Sequence, residues 1–441
     1  MGKGGQISSI EVVSLLKSKE KEHWTSSYNP LDPKAPKLPT KGEIKAVIPK
    51  ECFEKSYTKG LSGILFDFAL AALLVFSARV FFSVSPPQPI LSSDGLVWFA
   101  GWTIYALCMG STMLACWELA HECSHGSVFP SRRWNDAFGF IIHQVLLTPH
   151  YAYRFTHAKH HQFTNHLHKD TACVPETISE LGLLSLLLAP VSAKNQSGGT
   201  CRASPLLARA LKKLGNGPVA AFNLVLYHLV GWPLYLVGAV LVTRTNHDGS
   251  PSNGENLSHL NPNSKLLPSK QKGKTLLSTT TLLATIGFLT KLLLDHGILA
   301  VALWYGFPIL FCNFWFITIT HLQHTDPTVP LYGEDEWTWM RGALATVDRD
   351  YGIFNFLHHN AGSTHIVHHL FHEIPFYNSV KATKAVRDFL EPKGLYNFDP
   401  APWWKAVWRI FRNCQYVDDT CGVQYKKSFD NIVPLLREKQ A

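Results

Sequence analysis

Charge is scarce in this sequence. Asp, Glu, Lys and Arg make up 17% of its 441 residues, against roughly 25% in ordinary soluble domains, while apolar residues reach 46% and aromatics 12%. No C-x-x-C pair occurs either. The nine cysteines (52, 108, 116, 123, 173, 201, 312, 414 and 421) are scattered, several inside apolar runs where a thiol acts as a small hydrophobe. Neither a cysteine zinc cage nor a disulfide framework is implied, which suits polar parts that face a reducing cytosol. The opening MGKGGQIS has no apolar core, so no cleavable signal peptide is expected, and Gln6 stands where a myristoylation signal carries Ser or Thr. Acidic residues are short as well: 41 Lys plus Arg face 32 Asp plus Glu, a net charge of +9. Such a balance suits a nucleic-acid binder or a positive-inside membrane protein. The positive charges cluster beside apolar stretches and no nucleic-acid-binding pattern is present. A membrane protein without a nucleic-acid partner is expected.

Long apolar runs are present, and they organise the chain. Residues 1–58 form a polar, Lys-rich arm in which Pro30, Pro33, Pro36 and Pro39 forbid a long helix, leaving at most a short one around Ile10–Glu22. Leu61–Phe82 is the first run of membrane length, roughly 33 Å as a helix. Its Arg79 is expected to snorkel and its Asp67 to reach headgroups. The connector Ser83–Gly95 holds three prolines and no Lys or Arg, which marks it as non-cytosolic. Leu96–Trp117 then returns the chain to the cytosol. Residues 118–216 contain only short apolar pieces (Ala137–Leu147, Leu181–Val191), too short to cross. Three later stretches remain: 218–242, 278–294 and 298–320. The last two read as a hairpin turning at Asp295-His296-Gly297. The stretch 218–242, broken by Gly231-Trp232-Pro233, is expected to lie in the interface or to dip in and return. The expected fold is all-α: an integral membrane protein with about four transmembrane helices and a cytosolic helical cap. It comprises an arm (1–58), a membrane body (59–390) and a cytosolic C-terminal tail (391–441), with both termini cytosolic.

The chemistry lies in three histidine clusters: His121-Glu-Cys-Ser-His125, His157-Ala-Lys-His160-His161 and His365-Ile-Val-His368-His369. Spacings of i,i+4 and i,i+3,i+4 put each set on one helix face, so each aims its imidazoles at one point. Eight such rings exceed the four ligands of a single zinc. They match a pair of irons with mostly nitrogen ligands and open positions for dioxygen. His324, just past the last span, is placed to hang into the same site as a ninth ligand. His321, one turn earlier, is left outside the ligand set. His358 and His359 read as supporting residues behind the ligands, and His372 as a lesser candidate. His143, His150, His166, His168 and His228 are expected to be structural or surface residues.

Two other enzyme classes share parts of this pattern. His121-Glu122-Cys-Ser-His125 is literally H-E-x-x-H, in which zinc proteases use Glu as general base, but that leaves the other two clusters without a role. Glu118-x-x-His121 and Glu122-x-x-His125 have the spacing of di-iron carboxylate bundles, which need such pairs on two helices rather than one. A histidine-rich metal transporter would carry ionisable residues inside its spans, whereas these lie beyond the span ends.

With the clusters placed, the sequence resembles the membrane fatty-acid desaturases, most closely the microsomal Δ12 (omega-6, oleate) desaturases of plants and algae. The resemblance runs from about Leu38 to Tyr425. It includes Thr164-Asn165-His166 after the second cluster, Gly231-Trp232-Pro233-Leu234-Tyr235-Leu236, Leu322-Gln-His324-Thr-Asp-Pro, the stretch Trp339–Gly352, and Thr364–Phe371 around the third cluster. The resemblance implies an enzyme of the endoplasmic reticulum membrane with two non-haem iron ions. It implies O2 as co-substrate, electrons from NADH through cytochrome b5 reductase and cytochrome b5, and a phospholipid acyl chain as substrate. The iron ligands it implies are His121, His125, His157, His160, His161, His365, His368 and His369, with His324 as the extra one. No His-Pro-Gly-Gly motif is present, so no fused cytochrome b5 domain is expected. One departure is Ser124, where the family has Gly; its hydroxyl is expected to bond the backbone four residues back.

Overall fold

A computed structural model describes residues 26, 28–181, 205–238, 244–252 and 257–438. The expected helix near Ile10–Glu22 lies outside these residues, as do Cys201 and all but the first residue of Leu181–Val191. Helices make the fold. Among the described residues the named strands form only two small pairs: β1 (Pro330–Tyr332) antiparallel to β4 (Val423–Tyr425), and β2 (Asp348–Arg349) parallel to β3 (Phe398–Asp399).

Among the described residues five helices are long and apolar enough to cross a membrane: α1 (Tyr57–Phe81), α2 (Ser93–His125), α6 (Asn216–Gly238), α7 (Ser269–His296) and α8 (Ile298–His324). Between them lie α3 (Arg132–Val145), α4 (His150–Gln162) and α5 (Pro205–Leu214); α9 (His365–Leu370), α10 (Phe376–Leu390) and α11 (Trp403–Asn413) follow. Local chemistry sets the ends. Ser56 and Ser92 cap α1 and α2, accepting the amide hydrogens of Lys59 and Gly95. Gly126, with φ 77°, stops α2 in a left-handed turn that any larger residue adopts only with strain. Gly297, with φ 81°, makes the hairpin between α7 and α8 where the sequence places it.

The helix α2 is the central post. In its most apolar window 61% of residues are buried, against 17% for α1 and 11% for α7, whose sides are left for lipid. It packs most extensively on α8, and the shared core includes Leu114, Trp117, Trp315, Phe316 and Ile319. It also runs unbroken past Trp117 to carry the first histidine cluster.

Two expectations are corrected here. Gly231-Trp232-Pro233 does not break α6. The helix passes through it by widening into a π-turn at Tyr227–Gly231, which loosens the hydrogen-bond ladder where the Pro233 ring has no N–H to give and would press on the preceding turn. Nor does Asp67 reach headgroups. It is 1% exposed, and its carboxylate lies 2.9 Å from His359 Nε2. Beyond residue 391 the chain folds onto the body: α11 packs against α6 and α8, and β4 completes the pair with β1.

Candidate metal centre

The site is assembled from four helix segments. The last turn of α2 presents His121 and His125, α4 presents His157, His160 and His161, α8 ends on His324, and the short α9 presents His365, His368 and His369. A six-residue helix is marginal alone, so α9 is held from outside. Its Ile366, Val367 and Leu370 enter a core with Ile44, Ala382, Val386 and Leu390. Asp348, gripped by the Tyr396 hydroxyl, accepts the Ile366 amide hydrogen at 2.9 Å.

All nine histidines converge. Ring nitrogens of His121, His125, His157, His161 and His368 lie within 4.8 Å of one another, and so do those of His160, His324 and His369. His365 joins the second group, with its Nε2 2.8 Å from that of His324. Between rings, Nε2 faces Nε2 at 2.7 Å for His121 and His157, 2.9 Å for His157 and His161, and 3.3 Å for His160 and His324. Imidazoles that face one another through the same nitrogen at such distances are aimed at a shared centre. The Nε2 atoms of His368 and His369 are buried with no hydrogen-bond partner, a costly state unless something else occupies the lone pair. Burial and neighbouring rings hold His157, His161, His365 and His369 well below the ordinary histidine range. They are therefore neutral, the form that binds a metal.

The outward nitrogens are steadied in turn. His160 Nδ1 lies 2.6 Å from Asp170 Oδ1, and the same carboxylate accepts the Asn165 and Ala172 amide hydrogens. His368 Nδ1 lies 3.1 Å from Glu122, whose other oxygen accepts the Ser127 hydroxyl at 2.6 Å. His369 Nδ1 meets Thr164 Oγ1 at 3.1 Å. Such partners fix ring orientation and tautomer. The pattern fits non-haem iron held by imidazole, and both metal-competent groups consist of histidine alone among the described residues.

Other sequence expectations are sorted by the same geometry. His321 stacks on Phe411 rather than on the cluster. His358 and His359 hydrogen-bond to Ser111 and Asp67, so neither supports a cluster ring through a hydrogen bond, which corrects their reading as residues behind the ligands. His372 has its ring 5.0 Å from that of His125 without joining either group. His143 and His150 form a buried pair at 2.9 Å, His228 bonds Thr318, and His166 meets Glu334, all structural as expected. The Ser124 hydroxyl donates to His121 O at 2.6 Å, three residues back rather than four. Glu118 and Glu122 do share one helix, as the sequence shows. Asp170 went unnoticed in the sequence because it lies in the turns after α4, where no helical spacing links it to His160. Its signal was only a carboxylate soon after a His cluster.

Below the histidines opens a cavity of about 840 Å³. His121, His157, His160, His324, His365 and His368 form one part of its wall, followed by Trp117, Tyr153, Trp232 and Phe316. The wall then continues past Tyr227 and Phe411 to Leu207, Leu214, Phe222 and Phe429. Trp117 stacks at 5.9 Å on His121, and Tyr153 at 5.2 Å on His157. An apolar ligand in this cavity would thus lie against the imidazole cluster at one part of its wall.

The chain matches the fatty acid desaturase family model over residues 96–400, a span that contains all three clusters and His324. It is 33% identical over 391 residues to the Delta(12)-acyl-lipid-desaturase of Punica granatum, covering 88% of this chain and 89% of that protein. It is 33% identical over 378 residues to the Delta(12)-fatty-acid desaturase of Arabidopsis thaliana, covering 86% and 87%. Over 383 residues it is 31% identical to the oleoyl-12-hydroxylase of Ricinus communis, covering 87% and 88%. Similarity of this extent, running through every segment that builds the histidine centre, means that this chain belongs to the fatty acid desaturase family.

Proposed function

We propose that the protein introduces a double bond into a membrane-lipid acyl chain in an O2-dependent reaction, with the Δ12 position of a phospholipid-bound oleoyl chain as its target. One observation carries the reading: nine imidazoles converge, and six of them (His121, His157, His160, His324, His365 and His368) stand in the wall of a cavity otherwise lined mainly by apolar side chains. Two non-haem irons, when bound, supply the O2-derived oxidant that an unactivated methylene requires. His121, His125, His157, His161 and His368 would hold one, and His160, His324, His365 and His369 the other. Asp170, Glu122 and Thr164 keep three of those rings aligned. Trp117, Tyr153, Trp232 and Phe316 exclude water and confine the acyl chain beside the cluster. Electrons would come from NADH through cytochrome b5 reductase and cytochrome b5, in the endoplasmic reticulum membrane.

Topology follows from convergence. His125 and His324 meet on one side, so the chain between them crosses the membrane an even number of times. The hairpin α7–α8 supplies two crossings, and α6, being unbroken, then lies along the cytosolic interface without crossing. With α1 and α2 this gives four spans and both termini cytosolic. The Ricinus relative favours keeping hydroxylation on the same scaffold as the second reading; omega-3 desaturation is a third outcome.

Gas chromatography of lipids from yeast expressing the chain tests this, with 18-carbon dienoate the expected product. Hydroxylated or omega-3 products would redirect the reading. Purified protein should carry iron and negligible zinc. Zinc alone would instead support a protease built on His121-Glu122-x-x-His125.

A further inference from the structure

Gly231 is an expensive residue for its position. Glycine inside a helix is destabilising relative to alanine, and this one closes a π-turn, itself rare and frequently found at functional sites. Both irregularities fall on the cavity wall. Tyr227, Val230, Gly231 and Leu234 form one face of α6, and all four line the cavity.

Gly231 lies between the two parts of that cavity. Its chain neighbour Trp232 packs on Trp117 at 5.7 Å and on Phe316 at 4.2 Å, in the aromatic layer beside the histidines. One turn earlier, Tyr227 packs on His321 at 6.1 Å and on Phe411 at 5.8 Å, toward the far part. A Cβ built on Gly231 would lie 3.4 Å from Ile317 Cδ1, and 3.7 and 3.8 Å from Tyr227 Cβ and Cδ1. These are ordinary contacts, and Ile317 and Tyr227 are themselves cavity-lining. A methyl group therefore fits without displacing backbone, but a larger side chain grows into the lumen between Ile317 and Tyr227.

We infer that Gly231 is a specificity-determining residue: the side chain it lacks is the gap through which the acyl chain passes from the histidine end of the cavity to its far part. The inference rests on the acyl-chain reading above. The width of this gap sets how much chain extends beyond the cluster, and hence which chain lengths are accepted and which methylene pair is presented.

The test is expression of wild type, Gly231→Ala, Gly231→Val and Gly231→Leu in yeast supplied with monounsaturated acids of 14 to 20 carbons. Products and double-bond positions are read by gas chromatography and mass spectrometry, and iron per chain is measured on purified protein. Gly231→Ala should keep its 18-carbon product within about twofold. Val and Leu should lower it by about tenfold or more, the range that one or two obstructing methyl groups command in an apolar pocket. Iron should stay at the wild-type level, and the product should shift toward shorter chains or a displaced double bond. The Gly231→Val, Ile317→Ala double variant, which reopens the gap, should recover 18-carbon product. An unchanged product profile in Gly231→Leu overturns the inference, and so does an equal loss at every chain length with no recovery in the double variant. An iron-loaded wild type that acts on no acyl chain overturns both this inference and the function proposed above.

Discussion

Lys426 is the residue whose removal tests the architecture of the centre most directly. It lies beyond the family match, immediately after the end of the β1–β4 pairing, yet its side chain is buried and lines the cavity. Its ammonium donates to His324 O at 2.7 Å and to Thr325 Oγ1 at 2.9 Å. His324 is the last residue of α8, where the final carbonyls have no amide partner within the helix. The lysine supplies that partner and places positive charge at the negative end of the helix. Charge-assisted hydrogen bonds contribute roughly 1.5–3 kcal/mol each, so the two together contribute about 3–6 kcal/mol. Lys426→Met recovers the several kcal/mol spent on burying an ammonium, but it leaves the His324 carbonyl unsatisfied at a cost of about 1–3 kcal/mol. The balance is a local loosening of about 1–3 kcal/mol, concentrated on one ring that shares a centre with His160, His365 and His369. Loss of a supporting partner typically lowers metal affinity by about 10–100-fold. Iron per chain, measured by elemental analysis after dialysis against a weak chelator, should fall below the wild-type value. Product in yeast should fall with it, and Lys426→Arg should restore part of both. A Lys426→Met protein with full iron and full product would refute the reasoning.

Four further outcomes are expected. Asp170→Ala frees His160 Nδ1 and should reduce iron retention by about 10–100-fold, read by chelator titration, with Asp170→Asn intermediate. His324→Ala should abolish product with the protein still inserted in the membrane. His321→Gln, altering a ring that stacks on Phe411 outside both metal-competent groups, should keep most activity; equal behaviour of the two variants would remove His324 from the ligand set. Glu122→Gln should lower turnover by about 10–100-fold through His368, whereas a zinc protease would lose nearly all turnover with its general base. The fourth is a pH effect. Burial holds the Asp348 carboxyl up at about 7, against about 3.9 in an unfolded chain. The folded state therefore binds the extra proton between these values, and stability falls as pH rises through that window. Melting temperature should drop between pH 5.5 and 8 in wild type and drop less in Asp348→Asn, which mimics the protonated acid; parallel curves would exclude Asp348 as the source.

The histidines were legible because helical spacing is a local property. Three clusters on three helix faces declare themselves in sequence, and the requirement that they meet fixes the parity of the spans. His324 was legible for a related reason, since it stands at the end of an apolar run of membrane length. What stayed hidden depends on irregular turns or on chain segments brought together from afar. Asp170 reaches His160 through turns in which Asn165 alone takes the left-handed conformation, with φ 55°. Lys426 reaches His324 across 102 positions. Asp67 looked like an interfacial charge because its partner, His359, lies 292 residues away. The fate of Gly231-Trp232-Pro233 depended on whether a helix could widen rather than break. Backbone propensity alone favours breaking, and packing of Trp232 against Trp117 and Phe316 decided otherwise.

The unbroken run of α2 from Ser93 to His125 has a consequence for how this protein can vary. Each residue inserted into an α-helix advances everything beyond it by about 1.5 Å and rotates it by about 100°. An insertion between Gly95 and Trp117 would therefore swing His121 and His125 off the centre, with no loop before them to absorb the error. The same holds for α8 between its π-turn at Ala302–Gly306 and His324. These two segments are fixed in length as well as in character, and only an addition close to two full turns, about seven residues, would restore the aim while raising the centre by about 10 Å. Changes in length should accordingly collect in the connections between α4 and α6 and between α6 and α7, while the two helices that deliver His121, His125 and His324 keep their residue count.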